Sequence, residues 1–308
     1  MSGIIDHKLS KKILICIPAF NEATNITKIV KSCLDHATQV VVYDDGSTDN
    51  TSEIAMNAGA TVIRGLKNRG YGVAIRSLFQ VAKDEAADVM VTLDSDGQHD
   101  PGQISNLLQP IVEEGIDIVL GSRFLTPQDS EKVPRYRSFG IKTITRLTQV
   151  ASYKNITDAQ SGFRAYGKNA ITEINLYEQG MGVSTEILMR AKEKSLLIKE
   201  VPITIKYDVQ NSSTHNPLSH GMGVIYSVMQ FISLRHPLAF YSLPGVVLLI
   251  IAAFYMNIAM DLYSTTKYIS TNMILVSVGS AVVGVVLFAT GVILYTLTAL
   301  LRGRIKEI

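Results

Sequence analysis

Two long stretches near the C-terminal end of the sequence contain no charged residue, and they restrict the folds open to the chain. The first runs from Leu238 to Met260 and the second from Asn272 to Leu301. At about 1.5 Å of rise per helical residue, each is longer than the roughly 30 Å of a bilayer's hydrocarbon core. Two helices buried in a large soluble core are the alternative, but such helices are rarely apolar on every face over this length. The sequence therefore predicts a hairpin of two transmembrane helices over residues 238–308.

A hairpin places both of its flanks on one side of the membrane, and here both flanks are basic. The flanking basic residues are Arg235, His236, Arg302, Arg304 and Lys306. The polar loop predicted between the spans, Asp261–Lys267, contains Lys267 as its one basic residue. Because the cytoplasmic flanks of membrane proteins carry the excess of Lys and Arg, residues 1–237 and the basic C-terminal tail are expected in the cytoplasm.

The N-terminal residues and the cysteines agree with this location. Residues 1–12 are polar and basic, unlike a secretory signal peptide. Cys16 falls in an apolar run typical of a strand and Cys33 on a predicted helix, so no disulfide is expected, as suits a reducing compartment. The formal net charge of +2 gives no indication of a nucleic-acid partner, and none is expected.

The first half of the sequence alternates short β-branched runs with stretches of helical spacing. Strands are predicted at Ile13–Ile17, Gln39–Tyr43, Thr61–Ile63, Val89–Leu93 and Ile116–Leu120. One helix carries apolar residues at Ile104, Leu107, Leu108 and Ile111, and it is predicted to begin with Asp100 as N-cap and Pro101 as its first residue. Alternating strands and helices predict a mainly parallel sheet with helices on both faces.

Polar motifs follow four of these strands, beginning at Pro18, Asp44, Asp94 and Gly121. Ligands of open parallel sheets bind beyond the C-terminal ends of the strands. We therefore expect these motifs to share one edge of the sheet and to form the functional site there.

The most specific of these motifs is acidic. Asp94 and Asp96 stand two residues apart after a strand, so they point the same way along an extended backbone, and Gln98 adds another oxygen. Such a set can share one hard cation and leave positions open for phosphate oxygens, as Mg²⁺ or Mn²⁺ requires with a nucleoside diphosphate. An acidic turn is the alternative for an isolated motif of this kind. An EF-hand is excluded because Ser105 occupies the twelfth loop position.

Six motifs occur in an order that is specific as a set: ICIPAFNE at 15–22, VYDDGSTD at 42–49, NRGYG at 68–72, LDSDGQH at 93–99, GSR at 121–123 and DAQSGFR at 158–164. Together they resemble the family-2 glycosyltransferases of GT-A fold, over roughly residues 11–235. The nearest branch is similar to the dolichyl-phosphate mannose and glucose synthases, or polyprenyl-phosphate glycosyltransferases. The resemblance implies a Rossmann-like GT-A catalytic domain, assigned to residues 1–215, ahead of the hairpin.

The resemblance also implies a role for each motif. Donor binding is assigned to Pro18, Phe20, Glu22, Tyr43, Asp45, Asp94, Ser95, Asp96, Gln98 and His215. Metal binding is assigned to Asp94, Asp96 and Gln98, with Mg²⁺ or Mn²⁺ as the cofactor. Acceptor binding is assigned to Arg123, Arg135, Arg137, Ser138 and Ser161. Asp96 and Arg123 are the expected catalytic residues.

One loop departs from the family pattern. After a strand predicted at Val201–Ile205, the family often places an arginine and then a Ser-Lys pair over the donor diphosphate, whereas here His215 occupies the lysine position and the arginine is absent or shifted to Lys206. A neutral histidine donates one hydrogen bond but has no fixed charge at pH 7. The loop is a candidate lid. The departure leaves open a catalytically impaired, membrane-tethered binding or assembly subunit, although the complete metal set argues against it.

A membrane-level acceptor agrees with the segment before the hairpin. Residues 216–237 present one apolar face, formed by Val224, Ile225, Val228, Met229, Phe231 and Ile232, as an interfacial helix does. An ordinary helix that packs on the sheet is the alternative. A lipid phosphate is already anionic, so it needs basic side chains that place it rather than a general base. Arg123, Arg135, Arg137 and Lys142 provide such a cluster, or a basic face near anionic lipid.

These observations and the resemblance predict metal-dependent, inverting transfer of a hexose, mannose or glucose, from a GDP- or UDP-sugar to dolichyl or polyprenyl phosphate. The expected partners are the nucleotide sugar, the polyprenyl phosphate and membrane lipid. A processive polysaccharide synthase is disfavoured because its Q-x-x-R-W run requires tryptophan and the chain has none. The choice of sugar and nucleotide stays open, as does the oligomeric state, a homo-oligomer included.

Overall fold

The chain forms two structural units, residues 1–228 and 229–308. A computed structural model describes residues 11–126, 133, 135–151, 155–205, 229, 233 and 236–305. Most of the predicted interfacial helix at 216–237 and the loop with Lys206 and His215 therefore lie outside the described residues.

In the first unit the described strands form one sheet. They are β1 (Ile13–Ala19), β2 (Gln39–Asp44), β3 (Thr61–Arg64), β4 (Val89–Thr92), β5 (Ile118–Ser122), β6 (Arg164–Gly167) and β7 (Ile198–Pro202). Their order across the sheet is β3-β2-β1-β4-β6-β5-β7. Neighbouring strands are parallel except where β6 pairs with β4 and with β5. The prediction of a mainly parallel sheet is confirmed, and the single reversed strand is an addition that the sequence did not predict.

Helices cover both faces of this sheet, as predicted. Those described in the first unit are α1 (Ile26–Leu34), α2 (Thr51–Asn57), α3 (Tyr71–Asp84), α4 (Ile104–Glu113), α5 (Arg135–Ala151), α6 (Lys168–Glu173) and α7 (Val183–Glu193). Side chains alternate along β1, so that Ile15 and Ile17 enter a core with α1, α2 and α4. Leu14 and Cys16 enter the opposite core, with α3, α6 and α7. Cys33 lies in the first core, so the two buried thiols are on opposite faces of the sheet.

The start of α4 agrees with its sequence signals. Asp100 caps a short 3-10 turn, Pro101–Gln103, by accepting a hydrogen bond of 3.1 Å from the Gly102 amide, and α4 follows directly. The end of α4 explains why β5 begins later than predicted. The Ile116 amide donates to the carbonyl of Pro110 at 3.2 Å, so Ile116 belongs to the turn after the helix.

The last strand is also displaced from its prediction. β7 occupies Ile198–Pro202, where the sequence predicted Val201–Ile205. Ile203 and Ile205 are buried beyond the strand, and Ile205 forms an isolated antiparallel bridge with His99. The Ile203 amide still donates to the Ser122 carbonyl at 3.0 Å, and both side chains pack in the core that contains α1, α2 and α4.

The second unit contains a π-helical turn, Leu238–Ser242, followed by α8 (Leu243–Thr266) and α9 (Thr271–Ile305). Leu238–Thr266 and Thr271–Thr298 are long and apolar enough to be candidate membrane spans, and only 17% and 11% of their most apolar windows are buried. This low burial argues against two core helices of a soluble protein.

The prediction of a polar loop at Asp261–Lys267 is wrong, because α8 continues to Thr266. The hydroxyls of Thr265 and Thr266 donate to the carbonyls of Asp261 and Leu262, at 3.0 and 2.6 Å. These polar side chains are therefore satisfied within the helix. The helix ends at Lys267, which adopts a left-handed conformation with a φ of 59°.

Small residues line the contact between α8 and α9. They recur at intervals of seven residues, as Gly245, Ala252 and Ala259 on α8 and Ser277, Gly284 and Gly291 on α9. A Cβ added at Gly245 would lie 2.8 Å from the carbonyl oxygen of Gly284, and the Ser277 hydroxyl donates to the Ala252 carbonyl at 2.8 Å. Small residues at this spacing let two helix backbones approach closely along one seam.

Candidate active site at the carboxyl edge of the sheet

The four predicted motifs lie at one edge of the sheet. β1, β2 and β4 are mutually parallel, and β5 runs in the same direction because β6 is antiparallel to both β4 and β5. Their carboxyl ends therefore share an edge. The expectation that the motifs beginning at Pro18, Asp44, Asp94 and Gly121 share one edge of the sheet is confirmed, although Pro18, Asp44 and Gly121 are still part of their strands.

Asp94 is held from three sides. The Tyr71 hydroxyl donates to its Oδ1 at 3.0 Å, and Nε2 of His99 lies 3.6 Å from its Oδ2. A Cβ added at Gly162 would lie 2.5 Å from Oδ2, so only glycine leaves room for the carboxylate there. Burial by itself raises the pKa of Asp94, but His99, Tyr71 and the charge of Arg123 outweigh it and lower that pKa below its usual value. Asp94 therefore presents an ionised carboxylate in a fixed orientation at this edge of the sheet.

The rest of the acidic loop is folded by its own side chains. The buried Ser95 hydroxyl donates to the Pro18 carbonyl at 2.8 Å and so ties the loop to the end of β1. The backbone amide of Gln98 donates to Oδ1 of Asp96 at 3.0 Å, and Gly97 between them has a φ of +74°. Asp96 and Gln98 are both half-buried at the edge, where they can contact a ligand.

Negative charge accumulates around this loop. Burial, and after it the charges of Asp96, Asp49 and Asp94, raise the pKa of Glu22 to about 7, although Asn25 donates a hydrogen bond that lowers it. In the described part of the chain no three His, Cys, Asp or Glu residues form a metal-binding group by themselves. The predicted set has two carboxylates and the amide oxygen of Gln98, a donor set that fits Mg²⁺ or Mn²⁺ when diphosphate oxygens complete the coordination.

The second acidic motif is engaged by the backbone. Asp44 is fully buried and accepts hydrogen bonds from the Ser47 amide, at 2.8 Å, and from the Ser52 hydroxyl. Asp45 accepts from the amides of Arg69, at 3.0 Å, and Gly70, at 2.7 Å. Asp45, which the resemblance assigned to donor binding, therefore holds residues 69 and 70 of the next loop, and its contact with a donor stays a prediction.

Aromatic side chains lie beside these motifs at the ends of β1 and β2. Pro18 is paired with Tyr43 in the β1–β2 register, and Tyr43 is buried. Phe20 follows β1 with 37% of its side chain exposed. Phe20 is thus accessible to a ligand, whereas Tyr43 belongs to the core with α3, α6 and α7, and its contact with a donor stays a prediction.

Arg123 is fixed at the end of β5 by a buried carboxylate. Its Nε and Nη2 donate to the two carboxylate oxygens of Asp158 at 2.6 and 2.7 Å. Burial raises the pKa of Asp158, but the charge and hydrogen bonds of Arg123 outweigh it and lower that pKa. The Lys142 ammonium and the Arg123 guanidinium lie 5.4 and 5.9 Å from the centroid of the Phe124 ring. Positive charge is therefore held at the same edge as the acidic loop.

A second buried arginine shapes the segment that was predicted to line the acceptor side. Arg164 donates to the carbonyls of Ala159, Ser161 and Ser184, at 2.8, 2.7 and 2.8 Å. The Ser161 hydroxyl is buried, and no hydrogen-bond partner for it occurs among the described residues. The two carbonyl bonds at 159 and 161 curl this segment so that Gly162 faces Asp94.

Three other predicted acceptor residues lie on α5. Arg135 and Arg137 are in its first turn, but their side chains are outside what the structure describes, and Ser138 is half-buried. His215 lies outside the described residues. The assigned roles of these four residues stay predictions.

Comparison with known proteins decides the family. Residues 14–174, more than half of the chain, match the family model described as glycosyl transferase family 2. The chain belongs to glycosyltransferase family 2. The predicted resemblance is thereby confirmed, and the chain is a glycosyltransferase.

Two relatives of this glycosyltransferase are named for sugar transfer to a lipid phosphate. UDP-N-acetylglucosamine–dolichyl-phosphate N-acetylglucosaminyltransferase of Methanococcus voltae is 29% identical over 239 residues, which cover 71% of this chain and 95% of that protein. Dolichol-phosphate mannosyltransferase of Pyrococcus furiosus is 33% identical over 204 residues, which cover 63% of this chain and 56% of that protein.

A solved structure confirms the GT-A fold of this glycosyltransferase. Glucosyl-3-phosphoglycerate synthase from Mycobacterium tuberculosis, in complex with Mn²⁺, UDP and glucosyl-3-phosphoglycerate, superposes with a TM-score of 0.58 at 19% identity. The superposition covers 73% of this chain and 81% of that chain.

Several residues at this edge of the glycosyltransferase could not be predicted from its sequence. Tyr71, His99 and Asp158 lie within the quoted motifs, but their residue types did not indicate which carboxylate or guanidinium they contact. Glu200 lies on β7 outside every motif, yet it accepts hydrogen bonds of 2.9 to 3.0 Å from the amides of Thr157 and Asp158. Nothing in the sequence signals this contact, because the two segments meet only in the folded sheet.

Proposed function

We propose that this glycosyltransferase transfers a hexose, mannose or glucose, from a GDP- or UDP-sugar to dolichyl or polyprenyl phosphate. The observation that carries the proposal is the shared edge that holds the acidic loop of Asp94 and Asp96 and the fixed guanidinium of Arg123. The acidic loop would hold a cation that neutralises the diphosphate leaving group. The guanidinium would bind the anionic acceptor directly, so one site needs both groups. The names of the two relatives, both dolichyl-phosphate glycosyltransferases, support the acceptor class.

The donor side of the reaction needs a counter-charge for the leaving nucleoside diphosphate. Asp94, Asp96 and Gln98 would hold Mg²⁺ or Mn²⁺, which when bound neutralises the charge that develops on the diphosphate. The related structure with Mn²⁺ and UDP supports this cofactor class. Phe20, exposed at the end of β1, would contact the nucleotide.

The acceptor side needs placement and no general base. A phosphate monoester is already anionic, so its oxygen attacks the anomeric carbon while the bond from that carbon to the diphosphate breaks. Attack from the face opposite the leaving group inverts the anomeric centre. Arg123, held by Asp158, and Lys142 nearby would attract and orient the acceptor phosphate.

The two candidate spans support a membrane location for this reaction. We propose a cytoplasmic catalytic domain at residues 1–215, an interfacial helix at 216–237 and a membrane hairpin at 238–308 whose C-terminal tail is cytoplasmic. Lipid phosphate in the cytoplasmic leaflet would then be presented on the side that also contains nucleotide sugars.

A donor panel tests the proposal. Membranes that contain the full chain are incubated with dolichyl phosphate, Mn²⁺ and radiolabelled GDP-mannose, UDP-glucose or UDP-N-acetylglucosamine, and label in the lipid fraction is measured. GDP-mannose or UDP-glucose is expected to label the lipid, and label from UDP-N-acetylglucosamine alone would contradict the proposed sugar. Asp96→Ala is expected to reduce labelling by at least about a hundredfold. Asp35→Ala, at an exposed carboxylate after α1, is the matched control and should label as wild type does. The proposal fails if no donor labels lipid or if Asp96→Ala retains full labelling.

A further inference from the structure

The NRGYG motif at residues 68–72 has no role in the reaction described so far, although it reaches the acidic loop. Its Tyr71 donates a hydrogen bond of 3.0 Å to Oδ1 of Asp94. Nε2 of His99 lies 3.6 Å from the other oxygen of Asp94, and a Cβ added at Gly162 would lie 2.5 Å from that oxygen, so the glycine backbone lies close beside the carboxylate. Each carboxylate oxygen has two lone pairs, so both retain one for a cation.

The backbone around Tyr71 is fixed on two sides. On one side Asp45 accepts hydrogen bonds from the amides of Arg69 and Gly70 at 2.7 to 3.0 Å. On the other side the Gly72 amide donates to the Gln179 carbonyl at 2.9 Å.

The glycines of the motif make these contacts feasible. Gly70 has a φ of +97°, which residues with a side chain rarely adopt, and a Cβ added there would lie 2.8 Å from the carbonyl oxygen of Gln179. A Cβ added at Gly72 would collide with the carbonyl of Glu178. The loop therefore enters α3 in one geometry, with Tyr71 as the first residue of the helix.

The ring of Tyr71 and its hydroxyl have separate contacts. The ring packs against the core formed by α3, α6, α7 and one face of the sheet, and the hydroxyl reaches the carboxylate at the edge. Replacement by phenylalanine would therefore remove the hydrogen bond to Asp94 and keep the packing. A residue that served only the core would not need its hydroxyl.

We infer that Tyr71 is a positioning residue that orients Asp94 toward a divalent cation, and that Asp45 and the NRGYG motif serve to place it. The inference rests on the proposed metal use of Asp94. Hydrogen-bond partners that orient a metal ligand typically contribute 10- to 100-fold to metal affinity. Tyr71→Phe should therefore weaken cation binding without unfolding the protein.

Equilibrium binding of Mn²⁺ tests the inference directly. Free Mn²⁺ is measured by its electron paramagnetic resonance signal, with the detergent-solubilised full chain and saturating UDP or, in parallel, GDP. Tyr71→Phe is expected to raise the Mn²⁺ Kd about tenfold or more. Tyr177→Phe is the matched control, since its ring is 68% exposed and stacks on Arg190 at 5.1 Å. Equal Kd values for Tyr71→Phe and wild type would overturn the inference.

Activity as a function of Mn²⁺ provides a second measurement. The apparent KM for Mn²⁺ should rise in Tyr71→Phe by a similar factor, while kcat at saturating Mn²⁺ should recover to near the wild-type value. A fall in kcat that excess Mn²⁺ does not restore would overturn the inference, since it would indicate a role other than cation positioning.

Luminescence of Tb³⁺ provides a third measurement that needs no turnover. The chain has no tryptophan, so Tb³⁺ emission excited through the protein's aromatic absorption arises chiefly from nearby tyrosines. Tyr71→Phe should lose most of this emission while Tb³⁺ excited directly still reports binding, and Tyr177→Phe should retain it. Unchanged emission in Tyr71→Phe would overturn the inference alone, whereas wild-type protein that binds neither Mn²⁺ nor Tb³⁺ would overturn the proposed metal site as well.

Discussion

Charged side chains in the interior of this glycosyltransferase are each held by several partners. Arg164 is 1% exposed and satisfies three carbonyl oxygens, and Asp158 is fully buried against the fork of Arg123. Burying a charge without partners is expensive, so these contacts are conditions for the fold as well as features of the site. They also fix the segment that carries Gly162 and hold the guanidinium of Arg123 at the end of β5.

The pair of Arg123 and Asp158 predicts a pH-dependent loss of stability. In wild type the pKa of Asp158 is below its ordinary value of 3.8, so its contribution to stability is present above that pH and is lost as pH falls through the lowered pKa. In Arg123→Met, burial has no opposing charge and raises the pKa of Asp158. The variant should therefore be less stable than wild type by about 3–5 kcal/mol at neutral pH, and the difference should shrink toward about pH 4.

Denaturant unfolding of the full chain in detergent, at a series of pH values, measures this difference. Arg146→Met, an exposed arginine on α5, is the control and should show no such dependence. A loss of stability in Arg123→Met that is the same at every pH would contradict the prediction.

At the scale of elements, direction along the sheet decides which loops meet. β1, β2, β4 and β5 run in the same direction, so the loops after them share an edge, although the reversed β6 lies between β4 and β5. The hairpin follows a different rule. Its helices approach through small residues repeated every seven positions, because a larger side chain would separate the backbones.

The seam between α8 and α9 predicts opposite results for two glycines of α9. A Cβ added at Gly284 would lie 2.9 Å from the Gly245 oxygen, whereas nothing lies within 4 Å of one added at Gly279. Gly284→Leu should destabilise the hairpin by about 1–3 kcal/mol through overpacking. Gly279→Leu is the matched control, since it makes the same change in helix propensity on the same helix.

Thermal unfolding of the full chain in a mild detergent, followed by circular dichroism, distinguishes the two variants. Gly284→Leu should unfold at a lower temperature than wild type, and Gly279→Leu should not. Equal midpoints for the two variants would show that the seam does not limit the stability of the hairpin.

At the scale of the whole molecule, the basic flanks of the hairpin predict that the catalytic domain is cytoplasmic and that the turn between α8 and α9 is on the opposite side of the membrane. The native thiols are poor competitors in a labelling test. Cys16 and Cys33 are fully buried, and burial raises the pKa of the Cys33 thiol to about 12 and that of Cys16 further. Cysteines introduced at exposed positions can therefore be labelled selectively.

Labelling of intact cells with a membrane-impermeant maleimide measures the orientation. Tyr268→Cys, in the turn between α8 and α9 where the native side chain is 65% exposed, should react in intact cells. Leu66→Cys, at a fully exposed position of the first unit, should react only after the cells are permeabilised. The reverse pattern would contradict a cytoplasmic catalytic domain.

Features that depend on neighbours along the chain could be predicted from the sequence. The strands that lead to Asp44, Asp94 and Arg123 follow from short β-branched runs, and the capped 3-10 turn before α4 follows from Asp100 and Pro101. The extent of the apolar stretches indicated two candidate spans. Errors occurred at boundaries: Thr265 and Thr266 were placed in a loop because their hydroxyls are polar, although each is satisfied inside α8.

The acidic loop shows where such reasoning ends. Its sequence determined that Asp94 and Asp96 stand together after a strand, because two-residue periodicity is a local property of extended backbone. Only the tertiary structure decided that Tyr71 and Gly162 orient Asp94, that Asp158 fixes Arg123, and that Asp45 holds a loop. The hydrogen bonds among these contacts join residues that are 23 to 35 positions apart in the sequence. They depend on how separate loops meet at one edge of the sheet, and no local pattern in the sequence encodes that meeting.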